Sequence, residues 1–391
     1  MTDAPYEFDR LPLIVQFEEA TGFTETYGFA GSQGVVYLEG QLFKPRGRDS
    51  DSVLLFMHPS STLNLMPMPA GLARAGHHVM CCASRYAKND SALIMEKVAL
   101  DMGAHIRFAK QELGYKNVTL VGWSGGGSLS LFYQSQAENP TITHTPAGDP
   151  VDLTAAGLIP ADAAMFIAAH ISRAKTLTEW MDPSVLVEAR PDDRELELDL
   201  YHPDNPNQPP YTAAFLDRYR AAQIARNRRI TAWVHDTLDQ LRARDDGEME
   251  RGFVVHRTMA DPRWLDPAVD PNDRRPGWCF LGDPRTVNVG PVGLARFCTL
   301  RSWLSQWSHD ESRADGPDGA RGISVPFLSV INGADDAAPA SHTRLIHEAA
   351  ASADKTSITI AGANHYYKEQ PELMAEAVAA CGAWLEERNL D

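Results

Sequence analysis

From Val35 onward, short β-rich runs alternate with longer stretches of helical spacing, and few folds accommodate that alternation. Such a chain pairs its strands in parallel and covers both faces of the sheet with helices. Residues 35–43, 53–57, 78–83, 118–121 and 163–169 read as strands. The spacing predicts helices over 69–75, 91–113 and 126–136, with Leu93, Ile94, Val98, Met102, Ile106 and Phe108 as the apolar residues at helical spacing in the second. The rhythm stops near residue 171 and returns near 322, with strands over 325–331 and 357–360 and helices over 342–351 and 371–388. Roughly 150 residues lie between, too many for a plain loop. This stretch is rich in Pro and Asp, and the spacing predicts one long helix over 213–241 and another over 292–307. The chain therefore divides into an α/β core, 1–170 and 322–391, and a helical insertion, 171–321.

Charge and composition exclude several classes. A formal net charge of −16 opposes phosphate backbones and anionic lipid surfaces, so neither nucleic acid nor membrane is an expected partner. No segment approaches the ~18 uninterrupted apolar residues of a membrane span. The first ten residues, MTDAPYEFDR, lack the basic start and apolar middle of a secretory signal, which points to the cytoplasm. Five cysteines, Cys81, Cys82, Cys279, Cys298 and Cys381, form no CxxC pair. They read as small buried hydrophobes, with no zinc site or disulfide framework.

Chemistry concentrates in VTLVGWSGGGSLSLF, where Gly122-Trp123-Ser124-Gly125-Gly126 joins a strand to a helix in a G-x-S-x-G pattern. A serine pushed out of such a turn needs neighbours with almost no side chain, and the Gly125 N–H then points where a carbonyl oxygen would turn negative. A phosphate-cradling loop fits less well, because no lysine follows Gly127 and G-x-G-x-x-G cannot be threaded through this stretch. A serine nucleophile requires a base and an acid that orients it. His365, on a loop after the strand over 357–360, can supply the base. The acid falls in Gly333-Ala334-Asp335-Asp336: the distance to Pro339 favours Asp335, whereas counting from Gly333 favours Asp336. Asp182 and Glu188, past the strand over 163–169, are further candidates. A second oxyanion donor belongs on His58-Pro59-Ser60-Ser61, where Ser60 N–H is the natural choice because Pro59 has none. His58 itself reads as a residue that shapes this loop, with no second ligand nearby to make it a metal site.

In order along the chain, His58-Pro59, the Gly122 to Gly126 turn, the acid loop near Asp335 and the terminal His365 resemble the α/β-hydrolase superfamily over about residues 35 to 170 and 322 to 391. The resemblance implies a mostly parallel, doubly wound sheet with a helical cap inserted after the sixth strand. It also implies a Ser124-Asp335-His365 triad with Ser60 and Gly125 as oxyanion donors, and no metal or cofactor. Two departures stand out: Pro59 replaces the usual glycine, and the doubled aspartate leaves the acid open by one position. The insertion holds Trp180, Trp233, Trp264, Trp278, Trp303 and Trp307, six of the eight tryptophans, most of them expected in the insertion's own core. An apolar cover suits a small hydrophobic acyl substrate. Arg218, Arg220, Arg226, Arg228 and Arg229 read as a solvated helix face paired with acids. Hydrolysis of an ester or lactone leads, followed by thioester or ketone carbon–carbon cleavage. Acyl transfer by the same triad is the alternative enzyme, and a non-catalytic ligand-binding protein is the alternative of another class. Homo-oligomer formation is left open.

Overall fold

The computed structural model describes residues 5–19, 34–291 and 293–391. Strands β1 (Phe8–Glu18), β2 (Val35–Pro45), β3 (Ser52–His58), β4 (Val79–Ala83), β5 (Asn117–Trp123) and β6 (Ala163–Ile167) precede the insertion. Within the insertion, β7 (Val185–Val187) pairs with β8 (Arg190–Arg194), and β9 (Gly252–Val254) with β10 (Phe297–Thr299). After it come β11 (Phe327–Asn332) and β12 (Lys355–Ile360). The main sheet has eight strands in the order β1-β2-β4-β3-β5-β6-β11-β12. β1 and β2 run antiparallel to their neighbours, and every other pairing is parallel.

The central strands are buried on both faces, which is why they read as unbroken apolar runs. In β3, Val53, Leu55 and Met57 face one helical layer, while Leu54 and Phe56 face the other. The first layer contains α2 (Met95–Gln111) and α3 (Gly125–Glu138), together with α6 (Gly316–Arg321) and α7 (Ala340–Ala349) beyond the insertion. The second contains α1 (Pro67–Arg74) and α8 (Pro371–Glu386), with Leu72, Val378 and Trp384 against the sheet. β1 has no counterpart in the sequence reading. It is an edge strand, mostly exposed, in which Asp9, Arg10 and Pro12 precede the apolar Leu13, Ile14 and Val15.

The insertion follows β6 and builds its own core. α4 (Arg173–Trp180) and the long α5 (Ala213–Arg244) pack with Trp303 and Trp307, while Trp180 and Trp264 enclose Cys279. Thr212 starts α5 by accepting the Phe215 N–H. Trp233 and Trp278 are the exceptions among the insertion tryptophans, at 43% and 38% exposed.

Two expectations need correction. The helix over 292–307 is helical only at its end: β10 comes first, then a turn Leu300–Ser302 that widens into a π-helical turn Trp303–Trp307. Pro291 and Gly293 oppose an early helix start, and β9 claims residues 297–299; Val292 lies outside the described residues. On α5, Arg218, Arg220 and Arg228 do pair with Glu195 and Glu197, Asp261, and Asp310. Arg226 instead is fully buried, bonded to Glu188 and to the carbonyls of Asp182, His256 and Arg257. All five cysteines are buried and free. Among the described residues no helix is long and apolar enough to cross a membrane.

Candidate active site

Parallel strands bring their carboxyl ends to one edge of a sheet, so loops remote in sequence meet there. At this edge β3 ends in His58, β5 leads into Ser124, β6 is followed by His170, β11 leads to Asp335, and β12 to His365. Ser124 has φ 52° and ψ −121°, a left-handed backbone that a serine adopts only under constraint. Close packing supplies that constraint. A Cβ on Gly122 would lie 2.5 Å from Gly127 Cα, and one on Gly126 would lie 2.3 Å from the Met57 carbonyl oxygen. Only glycine lets the turn sit against β3 and double back on itself.

The structure brings His365 and Asp335 together. His365 Nδ1 lies 2.9 Å from Oδ2 and 3.1 Å from Oδ1 of Asp335, and both side chains are buried. The backbone N–H groups of Ala337 and Ala338 also donate to Asp335 Oδ1, at 2.8 and 2.7 Å. The imidazole packs on Trp123, the residue before Ser124, with ring centroids 4.7 Å apart. No hydrogen bond joins the Ser124 hydroxyl to His365 among the described residues. Such bonds are commonly long in unliganded sites and tighten when substrate binds.

The other acid candidates lie elsewhere or point elsewhere. Asp182 is held by Arg257 and Asn288, and Glu188 by Arg226, all within the insertion. Asp336 sits beside the pair without bonding the imidazole. Burial, then the charge of Asp335, pushes its carboxyl up to about 6. Ser60 departs from its expected role: its N–H donates to Nδ1 of His58 at 3.2 Å, so it is engaged within its own loop. The proline next to it has no N–H that could take that bond instead.

Several groups here were not singled out from sequence. Phe280, from the insertion, packs 6.0 Å from the His365 ring centroid. Trp264 Nε1 donates to the Asp336 carbonyl at 2.8 Å and Asn272 Nδ2 to the Asp335 carbonyl at 2.8 Å, so the insertion holds the acid loop by its backbone. His170 and Arg173 are buried close to His58. Arg173 bonds Gln306 and Asp90 and lies 4.4 Å over the Trp307 ring. Burial and the Arg173 charge hold His170 well below the usual imidazole range. No local pattern marks Phe280, and Trp264 stood only among the insertion tryptophans, because the relevance of both depends on how the insertion folds back. Among the described residues no cluster of three or more His, Cys, Asp or Glu is arranged to hold a metal ion.

No protein-family model and no curated protein matches this sequence. Solved structures do match. A hypothetical protein from Pseudomonas aeruginosa aligns at TM-score 0.50 and 10% identity, over 97% of this chain and 94% of that one. The esterase domain of a Rhodothermus marinus protein aligns at 0.46 and 14% over 96% and 98%. A monoacylglycerol lipase from Paleococcus ferrophilus aligns at 0.44 and 15% over 89% and 98%. At these identities the likeness is one of fold.

Proposed function

From an α/β-hydrolase fold, which this chain has, we propose a serine hydrolase that cleaves an ester or lactone of a small hydrophobic substrate. Ser124 Oγ attacks the carbonyl carbon as its proton passes to His365 Nε2. Asp335 holds the ring through Nδ1 and stabilises the imidazolium, and the Gly125 N–H faces the developing oxyanion. Collapse of the tetrahedral intermediate breaks the bond to the leaving oxygen, which takes the proton from His365. Water, deprotonated by the same imidazole, then releases the acid and restores the serine. A thioester or an activated ketone can enter the same cycle with a different leaving atom.

One observation carries this reading: a buried His365–Asp335 pair stacked against the residue that precedes a serine at φ 52°. The proposal makes residues 171–321 a cap, supported by Phe280 lying against the imidazole, and such a cover shields an acyl-enzyme from bulk water. Five buried free thiols fit a reducing compartment, so the proposal sets the enzyme in the cytoplasm. A fluorophosphonate probe tests the chemistry. Wild-type protein should be labelled at Ser124, and Ser124→Ala should abolish labelling and lower ester hydrolysis by roughly 10⁴-fold or more. Activity near wild type in the alanine variant would mean another nucleophile.

A further inference from the structure

A carbonyl oxygen that turns negative at Ser124 needs two N–H donors. The first is Gly125, whose N–H, at the start of α3, has no partner within the helix. The second should come from the loop after β3, but the first two positions of that loop offer no free backbone N–H. Pro59 has no N–H, Ser60 N–H donates to His58 Nδ1 at 3.2 Å, and Ser61 forms a short antiparallel bridge back to His58.

The bond from Ser60 also decides what the imidazole can do. An Nδ1 that accepts a hydrogen bond carries no hydrogen, so in a neutral ring the hydrogen sits on Nε2. The ring is neutral at physiological pH because burial, with the Arg173 and His365 charges adding to it, pushes its pKa down to about 3. Nε2 lies against Gly125: a Cβ built there would come within 2.7 Å of it. His170 Nε2 approaches the same point at 3.4 Å, and no hydrogen bond joins the two rings among the described residues. His58 as a residue is half-buried.

From these contacts we propose that the His58 side chain is the second oxyanion donor, its Nε2–H acting with the Gly125 N–H on the same oxygen. This rests on Ser124 being the nucleophile. It makes His58 a catalytic residue, where a loop-shaping role alone would need only its Nδ1. The side-chain donor takes the place of the backbone donor that Pro59 and the engaged Ser60 withhold.

Three variants separate the two roles. His58→Asn keeps an acceptor for Ser60 N–H, but its amide is too short to reach Gly125; His58→Gln can present an N–H near the position of Nε2; His58→Ala has neither. With an activated ester, kcat should fall about 10²–10³-fold in the Ala and Asn variants with KM little changed, and His58→Gln should recover part of the loss. A trifluoromethyl ketone, which forms a tetrahedral adduct, should lose affinity by a similar factor. Wild-type kcat in a folded His58→Asn variant overturns the proposal and leaves only the loop role. Should the variants fail to fold, the tautomer can be read in wild-type protein by long-range ¹H–¹⁵N NMR: an Nε2–H ring supports the proposal and an Nδ1–H ring overturns it. Failure of the serine reading shows separately, as wild-type protein that fluorophosphonate does not label or as an active Ser124→Ala variant.

Discussion

One position separates Asp335 from Asp336, and only Asp335 is bonded to the imidazole. The N–H groups of Ala337 and Ala338 turn back onto Asp335 Oδ1 and aim the carboxylate at His365, leaving Asp336 beside the pair. Asp335→Asn should therefore lower kcat by roughly 10⁴-fold, because an amide no longer stabilises the productive tautomer. Asp336→Asn should change kcat no more than about threefold, and a large loss there would reverse the assignment. Asp336 has its own pH signature. Its folded pKa is raised to about 6, so between about pH 4 and 6 the native protein holds a proton that the unfolded chain has released. The stability this gives is complete at low pH and lost as pH rises through 6. Asp336→Asn should thus raise the melting temperature near pH 7.5, by on the order of 1–2 kcal/mol of stability, and leave it unchanged near pH 4. The sequence favours Asp335 while leaving Asp336, Asp182 and Glu188 open, because G-A-D-D does not reveal which backbone N–H groups a turn will aim. The same limit applies to His58, where nothing in H-P-S-S foretells that Ser60 N–H bends back to the ring.

Secondary-structure elements were most legible where burial leaves no choice. β3, β5, β6 and β11 are apolar on both faces, and their sequences say so. The exposed β1 and the segment leading to Trp307 were not legible: in the first, Asp9, Arg10 and Pro12 obscure the apolar Leu13, Ile14 and Val15, and the second changes from strand to helical turn within a few residues to suit its neighbours. The turn from β5 into α3 was legible for a packing reason that can be tested. Gly126→Ala would drive a methyl group to 2.3 Å from the Met57 carbonyl, which β3 cannot yield without losing register. A destabilisation of about 3 kcal/mol or more is expected in chemical denaturation. A loss under about 0.5 kcal/mol would mean that the turn can shift away from β3 at little cost.

At the scale of the whole molecule, the insertion is a second packing unit with a buried charged centre. Arg226 ties α5 to Glu188 and to three carbonyls, and removing the guanidinium would take a buried donor from each of them, although the Arg257 carbonyl would still accept from Asp182 N–H. Arg226→Met should cost about 3 kcal/mol, with hydrogen exchange rising in α5 and β9 before it rises in the main sheet. Uniform acceleration across both units would show that they unfold as one. The break in rhythm sets residues 171–321 apart in the sequence but does not reveal their inward reach, since Phe280, Trp264 and Asn272 approach the site only through the tertiary fold. Their contacts limit how a molecule could get in. Trp264 and Asn272 are bonded to the peptide groups that carry Asp336 and Asp335, so the roof is stitched to a wall of the room beneath it. Swinging it away whole would have to break both seams or carry the peptide groups of Asp335 and Asp336 along with it.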